Sequence, residues 1–483
     1  MKYFGLPNSS LILLVILAGG PAAAQIMEVE GKIAAGSDHT MAIKADGTLW
    51  GWGLNAWYQL GEGGIYSYYN TPVQIGTDTD WKAVSAGYKH TVAVKNDGTL
   101  WEWGQLCRDT QIYQSVPLQI GTDTDWAAVA AGAYFNIALK TDGTLWGWGS
   151  NSNGQLGLDD ITYSTQNAPV QIGTDTTWTK MAAGSSHTIA RKENGTLWAW
   201  GANGDGQLGI ETYGQEIAPV QVGTETTWTD DITAGSWHTL ARKANGTLWA
   251  WGNNDDGQLG DGTIVTKNYP VQIPGSTWTS VAAGNWHSLA RKVEWESTYW
   301  AKTLWPWGLN SYGQLGDGTT INQNAPVNGI PYMNWATMEG GGYFSIGLME
   351  DGRLWAWGDN TYGQLGDGTD GYDENKTSPV LIMNLFQDIL TVKKTGTGSG
   401  TVTSEPVGIN CGADCTEGYA FNTVVTLTAT PAADSFFHGW SGGGCTGTGP
   451  CTVTMDLNKT VTATFKRPFY WPMFLPAITG EKR

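Results

Sequence analysis

Charge is scarce in this chain of 483 residues: Asp, Glu, Lys and Arg supply 14% of it, with 26 basic side chains against 44 acidic ones. The formal charge of −18 excludes a broad nucleic-acid surface, because displacing the counterions of a polyanion needs clustered Lys and Arg. Cysteine is scarce as well, five in all. Beyond the N-terminal leader no apolar run is long enough to span a bilayer as a helix. No GxSxG, HExxH or Gly-rich phosphate loop stands in a supporting context. The chain is therefore expected to be no enzyme and to carry no cofactor and no metal.

Glycine (67) and tryptophan (27) are abundant instead. That mixture argues for an all-β protein rich in turns, since disordered chains are poor in aromatics. The length exceeds one ordinary core, so two or more domains are expected. Tryptophans pair as Trp-x-Trp at Trp50/Trp52, Trp101/Trp103, Trp146/Trp148, Trp198/Trp200, Trp249/Trp251, Trp305/Trp307 and Trp355/Trp357. In the fourth copy, HTIARKENGTLWAWG at residues 187–201, two strand-like runs flank Asn194-Gly195, which reads as a two-residue type I′ hairpin turn. Side chains alternate across a strand, so Trp198 and Trp200 share one face and Leu197, Ala199 and Gly201 the other. The indole face of one copy can fill the space left by the small face of the next. A short run before each hairpin and a late Ala-Pro-Val-Gln-Ile-type strand make about four strands per copy, the size of a propeller blade. Seven such units close into a ring that hides its sheet edges.

The recurring AAGxxHTxAxKxDGTLWxWGxNxxGQLG resembles the regulator of chromosome condensation repeat family, over about residues 29–383. The resemblance implies a seven-bladed β-propeller. The nucleotide-exchange activity of the best-known member, a nuclear protein, is not carried over to an acidic chain with an export-type leader. A secreted bacterial propeller of this family that inhibits β-lactamase is the nearer analogue in setting. Copy two departs from the pattern, with Gly104-Gln105-Leu106-Cys107 and a shortened loop. Asn136 and Ser345 read as replacing the repeat histidine in copies three and seven. Copy six carries an insertion at residues 293–302 and Pro306 between its tryptophans.

The expected organisation is a signal peptide at 1–24, the propeller at 25–383, a linker at 384–389, a β-rich module at 390–466 and a tail at 467–483. Lys2, the apolar residues 11–18 and Ala22-Ala23-Ala24 compose the leader, and place the chain outside the cytoplasm, secreted or at a cell surface. Cys411, Cys415, Cys445 and Cys451 form an even set expected to make disulfides, locally paired. The module, with Phe436-Phe437-His438-Gly439-Trp440, resembles the internalin B-repeat-like modules of bacterial surface proteins. Residues 475–480 resemble a sortase signal only superficially.

His39, His90, His187, His238 and His287 occupy one repeat position and read as structural, each bonded within its own blade. A metal would need its ligands in one place. Residues 253–256 with Asp261, and 367–374, lack the full spacing of a calcium loop. The positions that vary inside the fixed frame are the two between Gly and His. Tyr88, Tyr134, Phe135, Trp237, Trp286, Tyr343 and Phe344 are read there as an aromatic binding face. Trp295, Tyr299 and Trp300 in the copy-six insertion, and Trp57, Tyr58, Tyr66, Tyr68 and Tyr69 in the loop of copy one, are secondary candidates. The expected function is a non-catalytic, monomeric binding scaffold for an unidentified protein or glycan. The alternatives are a carbohydrate-directed protein and an inhibitor of an exported enzyme.

Overall fold

The computed structural model describes residues 31–468, apart from 65, 108–111, 162–163, 297–298, 329, 331–333, 413–414, 420–422 and 456–457. The leader at 1–24 and residues 475–480 lie outside them. Seven antiparallel sheets follow one another along the chain and build the ring, six with four strands and one with three. The fourth is typical: Trp178–Ala183 lines the axis, then come His187–Lys192, Leu197–Gly201 and, outermost, Glu216–Gln221. Sheet 6 is the three-stranded one. Pro306 lies on its last strand, Tyr299–Gly308. Proline cannot donate to a fourth strand, and that strand is reduced to bridges at Ile330 and Gln323.

The hairpin turn differs from the sequence expectation. Gly195 has φ of 79°, while Asn194 is not in the left-handed region. Gly195 N donates to the Lys192 carbonyl at 2.9 Å. The turn is thus a three-residue type I form closed by a left-handed glycine. Asn194 acts through its side chain instead: Oδ1 accepts from Thr196 N and Oγ1, and Thr196 Oγ1 accepts from Trp198 Nε1 at 2.9 Å. Asp46, Asp97, Asp142 and Asn245 repeat this turn.

Sheets stack indole face on small face. Trp200 and Trp178 of sheet 4 bury against Ile137, Leu145, Leu156 and Ile172 of sheet 3. Ile189, Leu197 and Ala199 of sheet 4 receive Trp228 and Trp251 of sheet 5. A fully buried indole removes some 150–250 Å2 of mostly apolar surface from water, which makes these interfaces the main source of stability. Ring closure uses the same contacts. Sheets 1 and 7 share one cluster with Trp52, Phe344, Ile346 and Leu365, and each keeps its own four strands, so no strand is exchanged.

Of the residues expected to form a linker only 385–387 lie outside strands: Lys376–Asn384 ends sheet 7 and Asp388–Thr395 opens a second unit. Between them Leu385 is buried, and its carbonyl accepts from Ala45 N at 2.9 Å. The second unit pairs one four-stranded and one three-stranded sheet around a core with Trp440, Val425, Leu427 and Phe465. Disulfides join Cys411 to Cys415 and Cys445 to Cys451.

Candidate functional site

Strand direction sorts the loops to two ends of the ring. The Gly-x-x-His turns and the long GQLG loops project at one end, the turn end. The Asp-Gly and Asn-Gly hairpins and the connections between sheets project at the other.

Three consecutive positions of each turn have three separate roles. The third is the repeat histidine, and its register partner in the next strand is a glycine: His187 faces Gly201, and His90 faces Gly104. In sheets 3 and 7 this place belongs to Phe135, opposite Gly149, and Phe344, opposite Gly358. Both phenylalanines are 0% exposed. They are ring-for-ring replacements of histidine in the core and are removed from the candidate binding face. Asn136 and Ser345 sit one position later, where other sheets have threonine or serine.

The histidines bond to the next sheet, not to their own. His187 Nε2 meets Thr239 Oγ1 at 3.0 Å, and Thr239 Oγ1 donates back to the Gln207 carbonyl of sheet 4 at 2.8 Å. The single hydroxyl proton is committed to that carbonyl, so the histidine donates, from Nε2. Trp251 Nε1 donates to the same Gln207 carbonyl at 2.9 Å. The GQLG loop is thus a stitch between neighbours. His39, His238 and His287 repeat it with Thr91, Ser288 and Ser345. Burial pushes His39, His187, His238 and His287 down to about 3 and His90 to about 4.

The first turn position lines the axial mouth. Ser185 Oγ donates to Ser236 Oγ at 2.9 Å. Backbone bonds link neighbours there, Ser37 N to the Gly87 carbonyl at 3.2 Å, and Gly342 N to the Ser37 carbonyl at 3.0 Å across the closure. Tyr88 belongs to this inner ring, 40% exposed. The axial channel behind it has about 850 Å3 of space, walled mostly by Ala and Gly. Glu339 lies in its wall, where burial pushes its carboxyl up to about 7 against the opposing pull of Lys180.

The second position faces outward. It carries Asp38, Lys89, Tyr134, Ser186, Trp237, Trp286 and Tyr343 around the ring, and the last three aromatics and Tyr134 are half-buried. Tyr134 meets Tyr88 edge-to-face with ring centroids 5.6 Å apart. Tyr343 packs on Tyr312 at 4.9 Å, and Tyr312 on Tyr372 at 6.1 Å. The loop aromatics Tyr312, Tyr362 and Tyr372 escaped the sequence reading, though their place beside GQLG was a usable signal. A second pocket, of about 480 Å3, is walled by Trp57, Tyr68, Tyr88, Tyr362, Asp38 and Asp370, among others. Lys89 Nζ stands 3.9 Å from the Trp57 ring. Burial, with Asp359 nearby, raises the Asp38 carboxyl to about 6. Tyr66, Tyr68 and Tyr69 share this end, and Tyr66 is 68% exposed. Burial and Glu62 push the Tyr69 hydroxyl up to about 12.

Trp295, Tyr299 and Trp300 do not join them. The insertion lengthens the hairpin of sheet 6, pairing Trp295 with Trp300 and Glu296 with Tyr299, and it projects at the opposite end. Trp295 is 57% exposed. At that end lysines are sandwiched: Lys192 Nζ lies 4.6 Å from the Trp178 ring, 4.0 Å from Trp198 and 2.6 Å from Asp175. Lys95 and Lys140 do the same with Asp78/Asp80 and Asp123/Asp125. Asp261 and Asp367, raised as calcium candidates, cap their own loops by accepting from Thr263 and Thr369.

The profile described as "RCC1-like domain" matches residues 104–465, and that of the "Regulator of chromosome condensation (RCC1) repeat" matches 46–94 and 32–58. The "Ultraviolet-B receptor UVR8" of Arabidopsis thaliana is 28% identical over 64% of this chain and 60% of its own length. The "Probable E3 ubiquitin-protein ligase HERC6" of Homo sapiens is 32% identical over 49% of this chain and 20% of its own. The chain thus spans less than two thirds of these relatives. Among solved structures, Prp20p of Saccharomyces cerevisiae superposes with a TM-score of 0.60 at 22% identity, covering 71% of this chain and 88% of that one; this likeness shows the fold. These relatives correct the expectation of a secreted bacterial protein. They are plant, human and yeast proteins, and the extracytoplasmic placement and its signal peptide are withdrawn. The RCC1-like profile also runs through residue 465, over the stretch read as an internalin-type module, so that likeness is withdrawn too. Among the described residues no helix is long and apolar enough to cross a membrane.

Proposed function

Because the chain belongs to the RCC1-like domain family, whose propeller is a non-catalytic module for protein–protein contact, we propose that its turn end is the face that docks a partner, and that the partner is a basic protein. The observation that carries this is the difference between the ends. At the hairpin end, carboxylates such as Asp78, Asp123 and Asp175 pair with lysines laid on tryptophan. At the turn end, Asp38 and Asp370 wall a pocket together with Lys89, Trp57, Tyr68, Tyr88 and Tyr362, two acids to one cation, and no ion pair engages either acid among the described residues. Aromatics supply contact area at low entropy cost and dominate interface energetics. Carboxylates among them favour cationic side chains, in keeping with a chain charge of −18. The solved structure of Prp20p names Gsp1p and histones as proteins it binds; for this chain only the basic character is proposed. A glycan partner has no observation that favours it.

A photo-crosslinking residue at position 237 or 286 should capture a partner, whereas one at 193, on the hairpin end, should not. Replacing both Trp237 and Trp286 by Ala should then weaken binding of the captured partner by about thirtyfold or more with the fold intact. Equal capture from both ends, or unchanged affinity in the double variant, overturns the assignment.

A further inference from the structure

Six of the seven seams between sheets use one stitch: a Gln carbonyl, from GQLG in five copies and from Tyr58-Gln59-Leu60-Gly61 in copy one, receives the threonine or serine hydroxyl of the next sheet. The seam between sheets 2 and 3 is built differently. Copy two has no GQLG loop and presents Cys107 there. Asn136 stands where neighbours have threonine or serine. Glu102 occupies the register position that sheets 4, 5 and 7 fill with Ala199, Ala250 and Ala356. These three departures meet at one point. Cys107 Sγ lies 3.2 Å from His90 Nε2, and Asn136 Oδ1 lies 2.8 Å from the same nitrogen. Asn136 Nδ2 donates to Glu102 Oε1 at 3.1 Å. One ligand atom each from His90, Glu102 and Cys107 falls within 4.8 Å of the others, and all three side chains are buried.

We propose that His90, Glu102 and Cys107, with Asn136 Oδ1 as fourth donor, form a structural site for a divalent ion of the zinc type at this seam. One sulfur, one imidazole and two oxygens suit zinc or cobalt in tetrahedral geometry and do not suit calcium or magnesium, which take oxygen alone. A tetrahedral site separates sulfur from nitrogen by about 3.5 Å, so the 3.2 Å contact opens by a few tenths of an ångström. Binding releases the Cys107 proton to solvent and moves the His90 ring proton from Nε2 to Nδ1. Every donor is closed off from water, which fits a site that links sheets and has no place for substrate. Hydrogen bonds alone would account for Glu102, which accepts from Cys107 N at 3.3 Å and Trp148 Nε1 at 3.4 Å. They do not call for a thiol beside the imidazole. The donors come from two strands of sheet 2, the loop that follows them and one strand of sheet 3, all buried, so the ion would enter during folding.

The test is to unfold the full chain and refold it with cobalt(II), alongside Glu102→Ala, which restores the residue of the regular copies, and Cys107→Ser. The wild type should retain stoichiometric cobalt after chelator treatment and show a thiolate-to-cobalt charge-transfer band. Glu102→Ala should keep the near-ultraviolet tryptophan spectrum of the fold and lose the metal. Cys107→Ser should lose the band. Asn136→Thr should weaken affinity by about tenfold to a hundredfold. A refolded wild type that holds no cobalt, or a folded Glu102→Ala that holds as much as wild type, overturns the proposal.

Discussion

The two ends of the ring spend the same kinds of residue differently. At the hairpin end a lysine, a pair of indoles and one or two carboxylates form a closed unit, as in Lys140 with Trp126, Trp146, Asp123 and Asp125. Burial works against the charge of Lys140, yet its bonds to Asp123 and Asp125 prevail and raise it. At the turn end indoles and phenols stand half out of the surface, and the carboxylate of Asp38 is held up by burial without a lysine to meet it. Composition therefore does not distinguish a structural aromatic from a binding one; the company it keeps does. An indole whose cation is itself held by a carboxylate, as Lys192 is by Asp175, has its interaction filled from within; Lys89 over Trp57 has no such carboxylate among the described residues.

This contrast can be broken at several depths. Acid should have the largest effect, because it strikes the stitched layer below the turn end. Folded histidines that protonate only near 3 to 4 meet an unfolded value of about 6.5, so the unfolded state binds more protons and stability falls as pH drops below it. Glu339 and Asp38, raised to about 7 and 6, have the opposite sign and gain stability on acidification toward their unfolded values. The histidines outnumber the two acids, so the unfolding free energy from urea titrations should fall from pH 7 downward, by up to about 4 kcal/mol per pH unit. A flat profile from pH 6.5 to 4.5 would show that the stitches carry no linkage.

Next comes Trp200→Ala, which empties an indole site between sheets 3 and 4 and should cost about 3–5 kcal/mol in urea unfolding. Lys192→Ala should cost about 1–2 kcal/mol, since it strips two rings and a carboxylate of a shielded cation. Lys89→Ala, over the half-buried Trp57, should cost under about 0.5 kcal/mol. If the two lysines prove equal, the distinction between the ends is wrong. Smallest in stability should be Trp237→Ala with Trp286→Ala, below about 1 kcal/mol each by thermal melts; a large loss would make these indoles core.

Much of the ring is legible in the residues. The Trp-x-Trp pairs predict which face of each strand is bulky, and Trp198 and Trp200 do face the small side of the sheet before them. The partner of each histidine is not legible, because Thr239 is 52 residues from His187 and belongs to the next copy. Phe135 and Phe344 mislead for a related reason. Counting aromatics after glycine does not separate a turn residue from the strand residue that follows it, and only the register with Gly149 and Gly358 does so. Cys107 is conspicuous alone, but its setting depends on Glu102, which reads as a harmless change inside Trp-x-Trp until the seam places it opposite Asn136.

The closing joint repeats the others in contacts but differs in ancestry along the chain. Thr40 reaches the Gln364 carbonyl across 324 residues, whereas the corresponding hydroxyls elsewhere span 30–33. A contact so distant in sequence forms late in folding. Before it forms, the molecule is an open horseshoe, with Trp52 bare on one lip and Leu365 on the other. Two such lips fit each other between molecules as well as within one. Head-to-tail chaining is therefore the misassembly that closure of the seam forestalls.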